Sequence, residues 1–310
     1  MTKIRIGVLF GGRSGEHEVS LMSSRSVLSV LDPQKYEITE IGITHSGEWW
    51  SGKQTWQKFQ EGSFEGLYRV LFIPEPGKTV LYKREKDNLE PLVELDVIFP
   101  VLHGTFGEDG TLQGFFEMAD IAYVGAGVLG SSVGMDKGLF KDVMRSNNIP
   151  VVDWIIASRK DAEKNIDALM HDTEALGTYP FFIKPANLGS SVGISKCKNH
   201  SDLLEGIMQA CRFDRRILIE RGVENAREIE VSVLGNEFPR ASLPGEIKPS
   251  DEFYSYKAKY IDDRSELIIP APLPKETIAE IQDIAIRTYK AIDCAGMARV
   301  DFLVNGATNQ

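Results

Sequence analysis

Apolar residues run without a break from Ile4 to Phe10 and stop at Gly11-Gly12. So short a run, closed by glycines, reads as a buried strand. Apolar positions then recur at Leu21, Val27, Leu28 and Leu31, one face of a helix spanning Ser20 to Leu31. Strand, glycine turn and helix open a doubly wound α/β domain. Val97 to Leu102 predicts a second buried strand, Thr111 to Ala119 a helix, and Ile121 to Val124 a short third strand ending at Gly125. Residues 45–95 contain Trp49, Trp50 and Trp56, the turn segment Pro74 to Gly77 and the charged run Lys83 to Asp87. That stretch reads as inserted hairpins and surface loop.

From about 126 the pattern changes. A helix over Ser131 to Ser146 stops before Pro150. Strands are predicted at 152–157, 180–184, 192–196, 217–220 and 228–234, with helices at roughly 160–176 and 200–212. Helices alternating with strands, then strands in sequence, predict an α+β module. Residues 251–264 are polar and aromatic with no period and read as a long surface loop, of the kind that often carries function. Ile278, Ile281, Ala285, Tyr289 and Ile292 share one face of a helix over Glu276 to Ile292, and Met297 to Val304 predicts a closing strand.

With 310 residues, 42% of them apolar, the chain has material for two or three domains. Its net charge of −10 argues against non-specific nucleic-acid binding. It leaves nucleotide phosphates open as ligands, since these need a few local cations and backbone N–H groups. Cys197, Cys211 and Cys294 are far apart and odd in number, which suggests neither a zinc site nor a disulfide framework but thiols in a reducing cytoplasm. No apolar run approaches a membrane span, and the N-terminus lacks the core of a signal peptide, so a soluble cytoplasmic protein is expected.

Four constellations carry chemistry. Residues 11–20, GGRSGEHEVS, lie between strand and helix, where backbone N–H groups can hold an anion and Glu16 and Glu18 can receive an ammonium. A tight turn with solvated charges is the bland alternative. In residues 181–196, FFIKPANLGSSVGISK, Lys184 ends an apolar strand and a loop of small residues follows. Such a loop lets backbone amides approach phosphate oxygens while the lysine supplies a point charge; a hairpin with a snorkelling lysine is the alternative. Glu220 closes the apolar run Ile217 to Ile219, where it can accept from a nucleotide's amino or ribose groups, although any sheet edge can carry such a glutamate. Arg299 and Asp301 point to one side of the last strand, as a structural salt bridge or as an oxyanion clamp beside a metal ligand. His103 opens a Gly-rich loop after a buried strand, where a hydrogen-bonded structural role is the common one, and the other histidines form no metal-ligand spacing.

Taken together, eight segments resemble the D-alanine–D-alanine ligase family. They are 11–20, LHGTFGEDGTLQGFFE (102–117), GMDK (134–137), 181–196, LIERG (218–222), REIEVSVLGN (227–236), YSYKAKY (254–260) and GMARVDF (296–302), in the family's order. The resemblance implies an ATP-grasp enzyme of mixed α/β and α+β class: an N-terminal doubly wound parallel-sheet domain over 1–125, a central ATP-grasp domain over 126–225 and a C-terminal one over 226–310. It implies ATP and Mg2+ as cofactors, D-alanine as substrate, peptidoglycan precursor synthesis as the context, and a homodimer.

The same resemblance assigns roles. Glu16 and His103 match the pair that orients the first D-alanine by its ammonium. Lys137 and Lys184 match phosphate-binding lysines, and the 187–193 loop, with Ser191, matches the lid over the phosphates. Glu220 and Val223 match adenine contacts and Glu228 the ribose-binding carboxylate. Ser190 and Tyr260 match a network joining lid and 251–264 loop to substrate, and Lys259 also faces phosphate. Arg299 matches the cation that stabilises the tetrahedral intermediate, and Asp301 one magnesium ligand. Tyr260 within KAKY is similar to enzymes whose second substrate is D-alanine rather than D-lactate. The sequence departs from the family after the RVDF strand, ending at Gln310 before a Glu-x-Asn segment with further magnesium ligands. The resemblance implies ATP-dependent ligation of two D-alanines through an acyl phosphate; because magnesium wants an octahedron of oxygens, the chain as it ends is expected to be a truncated form with little ligase activity. Two alternatives are a member that binds ATP and D-alanine without turnover and a carboxylate–amine ligase for another substrate, such as a biotin carboxylase relative; Glu16, His103 and KAKY speak against the latter.

Overall fold

The computed structural model describes residues 2–189, 191–248 and 266–309. The 251–264 loop, and with it Lys259 and Tyr260, lies outside the described residues, as does Ser190. The chain divides into two compact units, Met1–Ser132 and Val133–Gln310.

The first unit contains β1 (Ile4–Gly11), α1 (His17–Val30), β2 (Tyr36–Ile43), β3 (Trp49–Gly52), α2 (Thr55–Gln60), β4 (Leu67–Phe72), β5 (Val80–Glu85), β6 (Asn88–Glu94), β7 (Val97–Pro100) and α3 (Thr111–Met118). One seven-stranded sheet has the order β6-β5-β4-β3-β2-β1-β7. β1 pairs in parallel with β2 and β7, and every pairing from β2 outward to β6 is antiparallel. The unbroken apolar run of β1 follows from burial on both faces. Leu9 packs with Ile41, Ile98 and Phe116, while Ile6, Val8 and Phe10 pack with Leu21, Phe59 and Val101 on the other side.

Three expectations are refined here. Residues 45–95 do include hairpins, but β3 to β6 extend the parallel centre rather than lying over the surface as loop. Leu81 is fully buried and Trp49 meets Phe72 edge-on at 6.0 Å, so the stretch contributes core of its own. Helix α1 begins at His17 instead of Ser20, since its first turn is polar and invisible to apolar periodicity. Ile121 to Val124 form no strand: Tyr123 meets Ile98 in a single parallel bridge.

The helix predicted over 131–146 is two helices, α4 (Val128–Met135) and α5 (Lys137–Ser146). Asp136 breaks it by turning its carboxylate to accept from the Gly138 and Leu139 N–H groups at 3.1 and 3.0 Å, an N-cap inside the apolar pattern. The second unit then runs through β8 (Trp154–Ser158), α6 (Arg159–Lys164), α7 (Ile166–Glu174), β9 (Phe181–Pro185), β10 (Ser195–Cys197), α8 (His200–Phe213) and β11 (Arg216–Arg221). These strands form an antiparallel sheet ordered β10-β9-β11-β8. Phe181, Ile183, Ile217 and Ile219 pack from it against Leu203, Ile207 and Ala210 of α8 and Met170 of α7. The helix predicted over 160–176 breaks at Asn165, whose side chain caps α7 by accepting from Ala168 N–H.

A second sheet in this unit contains β12 (Ala226–Leu234), β13 (Arg240–Ala241), β14 (Gly245–Lys248) and β15 (Glu266–Ile268), followed by α9 (Lys275–Ala291) and β16 (Met297–Asn305). β12 and β16 pair antiparallel along their whole length, from Ala226 opposite Asn305 to Leu234 opposite Met297. Alternation divides the faces of this ribbon. Ile229, Val231, Val233 and Val304 pack under Ile281, Ala285 and Tyr289 of α9. Glu228, Glu230, Arg299 and Asp301 stand on the opposite face. Among the described residues no helix is long and apolar enough to cross a membrane, and all three cysteines are free.

Candidate active site

In the first unit the Gly-rich turn after β1 and the loop after β7 form one packed assembly. Ser14 Oγ donates to the His103 carbonyl at 2.7 Å and accepts from Glu16 N–H at 3.1 Å. Glu16 is 8% exposed and its carboxylate presses on Gly104, where an added Cβ would lie 2.0 Å from Oε2. Gly104 also has φ +70°, so both the backbone and the close approach require glycine. Its N–H is held by Glu108 at 2.6 Å. The His103 ring nitrogen Nε2 lies 2.9 Å from Ser23 Oγ on α1. Glu16 and His103, far apart in sequence, are thus brought together by one loop contact. A cavity of about 440 Å³ opens beside His103, lined by Gly12, Arg13, Trp49, Phe72, Phe106 and Phe115 among others. Its apolar lining suits it poorly to an ammonium, and Glu16 is not among its walls.

In the second unit a charge cluster gathers at strand ends. Lys184 and Glu220 stand near the ends of neighbouring antiparallel strands, with Lys184 opposite Leu218, so their side chains project from the same face. They form an ion pair. Lys141 of α5 reaches the other oxygen of Glu220 at 3.1 Å. Burial alone would raise the Glu220 carboxyl; the ammonium groups of Lys184 and Lys141 outweigh it and hold the group below its ordinary value. Burial lowers Lys141, with Glu220 acting against the shift.

Lys137, the first residue of α5, donates to the carbonyl of Pro185 at 3.2 Å and to that of Leu188. Burial, with repulsion from Lys184, lowers it from 10.5 to about 8. Its position is fixed from two sides: its own N–H bonds Ala186 O at 3.0 Å, and Asp136, the cap of its helix, forms an ion pair with Arg216 of β11. The start of the 187–193 loop is tied down by Asp214, which accepts from Asn187 N–H at 2.8 Å and Nδ2 at 3.2 Å. Val223 follows β11 and is half-buried.

The third group lies on the open face of the β12–β16 ribbon. Arg299 makes a two-pronged bond to Asp301, Nε to Oδ1 at 2.7 Å and Nη2 to Oδ2 at 2.9 Å. Glu230, directly across from Asp301, places Oε1 3.4 Å from Nη2 of the same arginine. Glu228 is half-buried one pleat along, opposite Leu303. Among the described residues no group of three or more His, Cys, Asp or Glu side chains is arranged to hold a metal ion.

Of the residues singled out in the sequence, Lys137, Lys184 and Glu220 thus converge, as do Arg299 and Asp301, and separately Glu16 and His103. Lys141, Asp136, Asp214 and Glu230 were missed. The first two had a signal: an acidic residue at a helix start, with lysines four apart behind it, caps the helix and stacks two ammonium groups on one face. Asp214 and Glu230 had none, because their partners lie 27 and 69 positions away.

Comparisons with known proteins identify the family. The family profile described as D-ala D-ala ligase N-terminus matches residues 5–126, and that described as D-ala D-ala ligase C-terminus matches 143–310. A D-alanine–D-alanine ligase of Natranaerobius thermophilus is 48% identical over 305 residues, 98% of this chain and 83% of the relative. One from Caldicellulosiruptor bescii is 47% identical over 317 residues, 100% of this chain and 85% of the relative. Among solved structures, the VanG D-Ala:D-Ser ligase of Enterococcus faecalis superposes with a TM-score of 0.83 at 34% identity, covering 99% of this chain and 88% of that one. The D-alanine–D-alanine ligase of Coxiella burnetii gives 0.80 at 34%, covering 99% and 82%. With both profiles in order, this fold and these residues gathered at strand ends, the chain belongs to the D-alanine–D-alanine ligase family.

Proposed function

We propose that this protein is an ATP-dependent carboxylate–amine ligase that joins two D-alanines into D-alanyl-D-alanine for peptidoglycan precursors. The observation that carries the reading is the clustering of Lys137, Lys184 and Glu220: two cations for phosphate beside a buried acceptor for a purine amino group. A carboxylate is a poor acyl donor, so the first D-alanine carboxylate attacks the γ-phosphorus of ATP, ADP leaves and an acyl phosphate forms. The amine of the second D-alanine then attacks the acyl carbon, phosphate departs and the amine loses a proton. Lys137 and Lys184 offset phosphate charge, Arg299 stabilises the developing oxyanion, and Glu16 with His103 receives the first ammonium. Glu220 and Val223 meet adenine, Glu228 meets ribose, and Ser191 with its loop covers the phosphates. Ser190, Lys259 and Tyr260 complete the lid and substrate network in this reading.

Magnesium commonly binds one or two carboxylates and takes its remaining oxygens from substrate phosphate and water. Asp301, an exposed carboxylate beside Glu230, offers such an oxygen once its two-pronged bond to Arg299 opens, and the ion would neutralise charge on the transferred phosphoryl group. The reading also includes three domains (1–125, 126–225 and 226–310), a cytoplasmic location and a homodimer.

The test is ADP release from ATP by this chain with magnesium and D-alanine, with L-alanine as control. Release specific to D-alanine is expected. ATP binding without D-alanine-dependent release would overturn the ligase reading in favour of a nucleotide-binding member without turnover.

A further inference from the structure

Glu220 is 4% exposed and is held by two ammonium groups, Lys184 on one oxygen and Lys141 at 3.1 Å on the other. The proposed function makes competing demands on this arrangement. Lys184 has to meet phosphate, while Glu220 has to accept from the purine amino group. As Lys184 turns to phosphate, Glu220 loses one of two counter-charges in a buried setting. A buried carboxylate without a partner is costly and takes up a proton instead, which reduces its capacity to accept.

Lys141 is built to remain. It lies one helical turn after Lys137 on α5, and its side chain is 11% exposed. A second bond, to the carbonyl of Val152 at 3.2 Å, and the face of Trp154 at 5.4 Å fix the ammonium independently of Glu220. Unlike Lys137 and Lys184, it has no phosphate role in the proposed reaction. We infer that Lys141 is a positioning residue for nucleotide selection, the standing counter-charge that keeps Glu220 ionised and directed at the 6-amino group when Lys184 moves to phosphate. The inference rests on the reading of Glu220 as an adenine contact. It differs from a purely structural salt bridge in one respect: it ties Lys141 to a single functional group on the nucleotide.

The experiment measures dissociation constants of ATP and of purine riboside triphosphate, which lacks the 6-amino group. Calorimetry would use the full chain as wild type, K141M and K141R. A charge-assisted hydrogen bond predicts that the wild type prefers ATP by about tenfold or more. K141M is expected to bring the two nucleotides to within about twofold, and K141R, which keeps the charge, to retain the preference. A stable K141M with the full wild-type preference overturns the role of Lys141 while leaving the adenine reading intact. No preference in the wild type overturns the adenine reading itself, and the inference with it. Should K141M fail to fold, K141Q, which keeps a hydrogen-bond donor without the charge, carries the same comparison.

Discussion

The two units position their polar groups by different physics. In the first, Glu16 is placed by shape: its carboxylate rests against Gly104, and Ser14 ties the two loops together through neutral hydrogen bonds. In the second, Lys184, Lys141 and Glu220 pair by charge, while backbone carbonyls hold Lys137 and support Lys141, within a frame set by Asp136 and Arg216. A site held by shape is sensitive to a single methyl group. A site held by paired charges depends on every partner's ionisation. On the proposed function, the contrast follows from what each has to hold: a small amino acid with one ammonium, or a polyanion whose own charge rearranges the cations around it.

The contrast can be broken at four points. The largest effect is expected at Arg299, whose planar fork is held by Asp301. Arg299→Met should reduce kcat by about a thousandfold with ATP affinity little changed, because a transition-state donor is lost; steady-state kinetics against both substrates reads this. Next is Gly104→Ala. The added Cβ would meet Glu16 Oε2 at 2.0 Å at a positive φ, and displacing a positioning group by about an ångström costs about a hundredfold in turnover. That loss should fall on D-alanine, with the ATP dissociation constant unchanged. Equal loss for both substrates would show that the two sites are not separately held.

Asp136→Ala removes a helix cap and leaves Arg216 unpaired, for a combined loss of about 2–3 kcal/mol of stability. Thermal melting would register it, along with weaker ATP binding as Lys137 loses its anchored helix start. A smaller effect is expected from pH. Lys137 is lowered to about 8, so its cation is present below that value and lost above it. ATP affinity should therefore fall by up to about tenfold per unit as pH rises past 8. Stability shifts the other way. The unfolded chain's lysine titrates near 10.5, so between the two values it binds more protons than the folded chain, and this group's contribution to stability rises with pH. Calorimetry and melting from pH 7 to 10 on wild type and Lys137→Met separate the two trends, the variant lacking both.

Legibility in the sequence was uneven for physical reasons. β1, β7, β9, β11 and α9 announce themselves because burial on two faces or along one stripe writes a period into the chain. The antiparallel extension by β3 to β6 does not. Its strands carry exposed charge at positions such as Arg84 and Glu90, and become strands through their neighbours. The break at Asp136 was hidden for the opposite reason: apolar residues on both sides keep helical spacing across it. Site residues at strand ends and in glycine loops were legible because their chemistry is local to a motif. Asp214 and Glu230 were not, since only pairing across the fold gives them a partner.

By itself the sequence determined the class of the molecule and the kind of chemistry it can offer. Glycine-broken apolar runs set the α/β start, and a lysine before a loop of small residues, an acid ending a strand and an Arg-x-Asp strand set the parts. Tertiary structure decided which parts meet. Register between β9 and β11 placed Lys184 beside Glu220, the α5 cap placed Lys141 on its other oxygen, and Gly104 brought Glu16 to His103. Local pattern records what a residue is and which way it faces. A buried charge becomes affordable only when a distant partner arrives, and that is settled by packing.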